Sequence, residues 1–375
     1  MDSISEHHER AVELIDQALD LENGDERIAV SEDAVREADL SGNLELRYRA
    51  REACVRAQFL GGAPEKSLVN FSWLLATFDQ NPGQFSEWAI LWKYKWMVVQ
   101  VSNFPQISKP KIYEMLDDLE ARSLKAGYGR NAIFMLRYRL ERFWDDKPRA
   151  AEYFLKMLES TTDDLSNCPA CTRNEFASYA IYSGNDARGV ELAQTLLDGE
   201  NKCATVPHRT YAELLLSMVR LGRQQEALNY HRAGYRLIAS NRRFLDYVAE
   251  HLIFLALTEN FARAVELFEK HYPWTEDNYD SFDLFHFSRA AWLLFEMVAE
   301  RGTSSLNLKM PRSFPHYSVD GNYHAAELAE VFKEKADDLA ARFDARNETD
   351  FFSRTMRETP GLKIWCAPFP LREVE

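Results

Sequence analysis

The stretch Thr210–Ile238, TYAELLLSMVRLGRQQEALNYHRAGYRLI, decides the fold. Its apolar residues recur every three to four positions on both sides of Gly222, the period of an amphipathic helix and not the two-residue alternation of a strand. A glycine at 222 suits the left-handed residue that ends a helix. Ala227, five positions on, leaves room for a second helix to cross the first closely. The segment reads as a helical hairpin. A single hairpin cannot bury its own apolar faces, so similar units are expected beside it.

They are there. FASYAIYSGNDARGVELAQTLL puts Gly184 and Gly189 in the same two slots, and LIFLALTENFARAVELFEKHYP puts Glu259 and Ala264 there. Near the start, NGDERIAVSEDAV supplies Gly24 and Ala29, and ACVRAQFLGGAPEKSLVNFSWLL supplies Gly62 and Ser67. Weaker copies turn near Asn103 and Asp146. The turns at 24, 62, 103, 146, 184, 222 and 259 are 37 to 43 residues apart, a spacing that marks a helical solenoid. Pro64, Pro110 and Pro148 sit near the expected starts of second helices, where a missing N–H costs little. Trp88, Leu91, Trp92 and Trp96 form an apolar stripe on one helical face.

After Arg301 the period breaks. Residues 303–322 read as a long loop punctuated by Pro311, Pro315 and Gly321. A helix is expected from about Tyr323 to Ala345, paired with one over 282–300. The end, from Phe351 on, is irregular but rich in Phe, Trp and Leu, and is expected to pack back on the last repeat. The expectation is an all-α protein, a solenoid of about seven helical hairpins with no sheet of consequence: an array over 1–302, then the loop, helix and tail of 303–375.

Composition agrees. The 375 residues are 46% hydrophobic and 28% charged, a folded-protein balance, with only 15 Gly and 13 Pro. The net charge of −14 makes general affinity for nucleic acid or an anionic membrane unexpected. No signal peptide and no apolar run of about 18 residues is visible, and five cysteines are too few for a disulfide scaffold. The cytoplasm is the expected compartment.

The hairpins, with their small residue after each turn, resemble the tetratricopeptide repeat family, best over about 170–275. These units are longer than the family's usual 34 residues, so the likeness is to a divergent member. PHRTYAELLLSMVRLGR, HRAGYRLI and HLIFLALTEN are similar to a bacterial group of such proteins, a likeness that implies no activity. The family resemblance implies a right-handed superhelix whose first helices line a concave groove. Carried over by position from the turns, the groove residues are Arg49, Glu52, Arg56, Lys93, Asn174, Arg209 and Arg220. Most are basic or hydrogen-bonding, which suits an acidic peptide or a terminal carboxylate.

Cys168-Pro-Ala-Cys171, followed by Cys203 and His208, is the sharpest chemical constellation. Two residues between thiolates let both face one ion, and thiolates with an imidazole suit tetrahedral zinc. Both pairs fall just before the first helix of successive hairpins, on one edge of the expected array. One structural zinc ion, unligated thiols and a redox pair all remain open, although a thioredoxin-like motif lacks its βαβ context. Gly127-Tyr-Gly-Arg-Asn-Ala132 follows a helix and no strand, so it reads as a helix–helix turn and not as a dinucleotide loop. His231, His251 and His271, twenty residues apart, would come near one another in a repeat. Residues 209–243 carry seven arginines against two glutamates.

The functional expectation is a non-catalytic protein–protein interaction scaffold or adaptor that holds a peptide segment in a concave groove. The alternative is an enzyme built from scattered helical residues near the 303–322 loop, with His316.

Overall fold

The computed structural model describes residues 2–199 and 201–371, with side chains from Ile4 onward. It is all-helical: seventeen α-helices and a two-stranded antiparallel ribbon among the described residues. The chain divides into two compact units, Met1–Ser166 with Ser240–Arg243, and Asn167–Ala239 with Phe244–Glu375. The division falls at 166, inside the array expected over 1–302. Residues 160–168 are the break: they form no helix.

The first unit holds four hairpins. They are α1 (Asp2–Asp20) with α2 (Asp25–Ser41), α3 (Leu44–Gly61) with α4 (Pro64–Gln80), α5 (Glu87–Gln100) with α6 (Lys109–Lys125), and α7 (Asn131–Phe143) with α8 (Lys147–Glu159). The first helices also pack in succession: α1 on α3, α3 on α5, α5 on α7. Tyr48, Phe71, Leu74, Leu91, Met97, Leu116, Leu136 and Trp144 make its main core. Pro64, Pro110 and Pro148 do open second helices. On the expected aromatic stripe, Leu91 is buried and Trp92 and Trp96 are half-buried. Trp88 lies at the rim, its indole N–H donating to the Asp164 carbonyl at 2.9 Å.

The second unit repeats the scheme with α9 (Pro169–Tyr182) and α10 (Asp186–Leu197), α11 (His208–Arg220) and α12 (Gln224–Ile238), α13 (Leu245–Leu257) and α14 (Phe261–His271), and α15 (Ser281–Glu300) and α16 (Ala325–Asn347). Again α9 packs on α11, α11 on α13 and α13 on α15. Phe268 anchors the last pairs, edge-on to Phe295 at 4.8 Å and to Phe332 at 5.1 Å.

All seven turns expected from the sequence lie between the two helices of a hairpin. Four of the seven share one cap. Gly222 adopts φ +70°, its N–H donates to the Val219 carbonyl, and the Arg223 N–H reaches back to Met218. The same two bonds recur at Gly184–Asn185, Glu259–Asn260 and Asp145–Asp146. This is the Schellman arrangement, which satisfies two carbonyls that the helix end leaves open.

The small-residue slot also has its cause on view. A Cβ on Gly189 would lie 2.4 Å from Ile181 Cγ1 and 3.1 Å from the Ala177 carbonyl oxygen, both on α9. Gly189→Ala is expected to lower stability by about 1–3 kcal/mol through overpacking. Gly222→Ala, with nothing within 4 Å of its Cβ, should cost about 1–2 kcal/mol from its positive φ alone. Urea unfolding midpoints check both; an unchanged midpoint for Gly189→Ala would mean the helices do not cross there as closely as described. The first hairpin departs from the pattern. Gly24 is the N-cap of α2, one residue later in the turn than Gly222, so Ile28 takes the buried slot and Ala29 is exposed. Gly61 makes room: its Cβ would meet Ile28 Cδ1 at 2.7 Å.

Beyond Arg301 the expected loop carries a short ribbon, β1 (Ser305–Asn307) against β2 (Asn322–His324), with Leu306 opposite Tyr323. The tail is more regular than expected. It forms α17 (Phe351–Glu358) and a 3-10 turn over Thr359–Trp365. It then docks on the end of α13, with Ala367 N–H on the Leu257 carbonyl and Phe369 N–H on the Thr258 carbonyl. Residues 372–375 of the expected tail lie outside the described residues.

Candidate metal centre and polar face

Cys168 is the N-cap of α9, in extended conformation, and its sulfur accepts the Cys171 N–H at 3.4 Å. Pro169 takes the first helical position, where no N–H is required. The CxxC spacing thus becomes N-cap and third residue of one helical turn, which puts both sulfurs on the N-terminal side of α9. Cys203 comes from the turn before α11, closed by its own N–H on the Val206 carbonyl at 2.8 Å. Its sulfur lies 3.5 Å from that of Cys171, and the sulfurs of Cys168, Cys171 and Cys203 all fall within 4.8 Å of one another. The three cysteines back onto buried Ala170, Leu196 and Val206.

The cluster favours thiolate. S–H donation from Cys168 and then Cys171 pulls Cys203 far below an ordinary thiol. Cys171 is pushed up, by its bond to Cys168 first, then by Cys203 and burial. Of this pair, Cys203 is the sulfur that gives up its proton more readily and Cys171 the one that holds it. A divalent cation can take the place of those protons.

The fourth expected ligand stands outside this group. His208 opens α11, and its ring stacks on Phe244 with centroids 5.4 Å apart and planes within 6°. Its Nδ1 is nevertheless buried without a hydrogen-bond partner. Burial lowers the pKa of the ring, while Cys203 raises it. The structure therefore gathers three of the four residues; His208 stands outside the group of atoms within 4.8 Å of one another, with its Nδ1 unused. Three thiolate sulfurs and an imidazole fit the donor set of structural zinc.

The expected groove residues fall in both units and fare differently. In the first unit, Arg49 and Arg56 are exposed on α3. Lys93 on α5 binds Glu52 at 2.9 Å, and Glu52 stands three residues after Arg49 and four before Arg56, so all three share a helix face. In the second unit the expectation of an open groove needs correction. Asn174 is fully buried; it accepts from the Thr210 hydroxyl and donates to Glu213 at 3.0 Å. Ser178 also donates to Glu213. Arg209 binds Glu175 at 3.1 Å, and Arg220 lies 3.5 Å from Asp186. The carboxylates these groups were expected to capture are supplied by the neighbouring helices of the same chain. Composition gave no warning, because Glu175, Asp186 and Glu213 are scattered singly through the sequence.

The three histidines do meet, with Tyr235 between them. His231 and His251 face each other through Nδ1 atoms 2.9 Å apart, and the Tyr235 hydroxyl lies 3.0 Å from His271 Nε2. His316, by contrast, is exposed beside Phe314. Gly127–Arg130 lie in the turn between α6 and α7, and Asn131 and Ala132 open α7. No described helix is long and apolar enough to cross a membrane. The chain matches no known protein-family model and no curated protein.

Proposed function

We propose that this chain is a non-catalytic, tetratricopeptide-like repeat protein that scaffolds protein–protein interaction, with one structural zinc ion in its second unit. The zinc would be held by Cys168, Cys171 and Cys203, with His208 as the fourth ligand, and would tie the turn before α11 to the start of α9. With four protein ligands no position is left for a reactive water, so the role is structural. The repeat reading draws support from first helices that pack in succession within each unit, with the same two-bond cap between the helices of four of the pairs.

The observation that carries the binding role is the α3–α5 face. Arg49 and Arg56 flank the Lys93–Glu52 pair with their guanidiniums exposed. Guanidinium forks seven residues apart on one face suit an acidic segment laid along it. The enzymatic alternative would rest on His316, whose exposed position beside Phe314 favours the binding reading over it.

The test uses the full chain as bait in cell extract. The double variant Arg49→Glu, Arg56→Glu should lose a captured acidic partner while its helical circular dichroism stays the same. Undiminished capture would remove this face from consideration. Reversal of Arg209 is not a clean substitute, because a glutamate there would face Glu175 without a counter-charge and disturb the fold.

A further inference from the structure

Sulfurs placed to share a metal ion are also placed to join each other. The sulfurs of Cys171 and Cys203 lie 3.5 Å apart, and all five cysteines of the chain are free thiols. Both residues of the pair are half-buried, so solvent reaches this edge of the second unit. The cysteines outside the cluster are placed differently. Cys54 is fully buried in the first unit, and Cys366 gives its S–H to the Glu259 carboxylate at 3.3 Å.

Local structure selects the partners within the cluster. Cys168 is committed to the start of α9, where its sulfur accepts the Cys171 N–H, one of the donors a helix leaves open at its beginning. Drawing that sulfur into a covalent bond would remove the cap. Cys171, at the third helical position, turns its sulfur to the segment before α11. Cys203 caps no helix: it lies in the non-helical stretch 201–207, between α10 and α11. That stretch can close the remaining distance without bending either helix. In a reducing compartment a disulfide made this way is transient, formed by an oxidant and undone by thiol exchange.

We propose that Cys171 and Cys203 form a reversible disulfide when the protein meets hydrogen peroxide, and that the new bond displaces the zinc ion. The displacement rests on the metal reading above; the disulfide does not. In the first step one sulfur attacks a peroxide oxygen: an S–O bond forms, the O–O bond breaks and hydroxide leaves. In the second the other sulfur attacks the first: the S–S bond forms, the S–O bond breaks and a second hydroxide leaves. The two sulfurs together give up two electrons, and the peroxide takes them. From free thiols the two S–H protons turn both hydroxides into water. From zinc-bound thiolates the protons come from solvent and the metal departs as the divalent ion. Cys168 and His208 alone are too few to hold it. The tie between α9 and the turn before α11 thus changes from a metal to a covalent bond, and Cys168 is released as a thiol.

The test treats the full chain, purified without air, with excess hydrogen peroxide. Remaining thiols are then blocked with iodoacetamide, and the peptides are mapped by fragmentation without reduction. The expected product is one cross-link joining Cys171 to Cys203, with Cys168 alkylated. A chromogenic chelator should register one zinc released per cross-link, and dithiothreitol should remove the bond. Cys203→Ser should slow the loss of the Cys171 thiol at least tenfold, whereas Cys366→Ser, outside the cluster, should leave the cross-link unchanged. Mapping of the parent chain decides the matter even where a variant folds poorly. A Cys168–Cys171 bond in its place, or oxidation of single sulfurs with no cross-link, would overturn the proposal. Zinc-bound protein that forms no cross-link would overturn the thiol pair and leave the metal reading standing; zinc-free protein that forms it would do the reverse.

Discussion

Lowering the pH from 8 to 5 is expected to destabilise the second unit by several kcal/mol, well before most carboxylates titrate. His231, His251 and His271 are buried at 4%, 0% and 0% exposure. Desolvation, then Arg263 and Arg232, holds His231 down to about 3. Desolvation, then Lys270 and Arg263, holds His271 at about 3. His251 is lower than its ordinary value for the same first reason, with the other two rings adding to it. The unfolded chain binds a proton on each ring near pH 6.5, whereas the folded chain resists it. Stability from the neutral rings is therefore complete above about pH 6.5 and is lost as the pH falls toward 3. At pH 5 His231 and His271 each contribute a loss of about 2 kcal/mol, about 4 together, and His251 adds a loss in the same direction, a large share of the roughly 5–15 kcal/mol that holds a domain folded. Urea titrations at pH 8, 7, 6 and 5 measure this directly; the three rings should add uptake of about three protons on unfolding to the acid slope, and His286, held down to about 3 by burial and then by Arg289, a fourth. Midpoints that agree from pH 8 to pH 5 would show that the rings are not buried neutral in solution.

Loss of the proposed metal is expected to be the second large effect. Cys171→Ser removes the sulfur that stands 3.5 Å from Cys203 and next to Cys168. Structural zinc in small isolated domains contributes on the order of 10 kcal/mol. Here Ala170, Leu196 and Val206 still pack without it, so the consequence should be local. Hydrogen exchange over 165–210 should speed up by at least tenfold in the variant, or in the parent after chelation. The helices of the first unit should exchange as before, because stability in stacked repeats is largely a nearest-neighbour property. Uniform acceleration across the chain would contradict a local staple, and no acceleration would remove the staple altogether.

How much of this was legible in the sequence depends on what each feature requires. Hairpin turns need a residue that tolerates positive φ and two backbone bonds, and glycine announces that at 62, 184 and 222. Glu259 and Asp145 occupy the same backbone state with no glycine to mark it, and the repeat spacing, not the residue type, located them. The slip at Gly24 was not visible, because a glycine at the N-cap and one at the helix end look alike in one dimension. The short ribbon at 305–307 and 322–324 was missed because three residues are too few to show alternation. The gathering of Cys168, Cys171 and Cys203 was legible from spacing plus repeat phase. The orientation of His208 was not, since it is set by Phe244, thirty-six residues away. The groove was over-read for a similar reason. A polar residue on a first helix can face solvent or its own neighbour, and Asn174 finds Thr210 and Glu213 at distances no local pattern encodes.

The central claim, that the second unit is stapled by zinc between α9 and the turn before α11, is tested most directly by X-ray absorption at the zinc edge on freshly purified protein. The account predicts one zinc per chain, with three sulfurs at about 2.3 Å and one nitrogen at about 2.0–2.1 Å. In His208→Ala the nitrogen shell should give way to an oxygen from water while the three sulfurs stay. A preparation with no stoichiometric zinc, or zinc bound without sulfur, would contradict it.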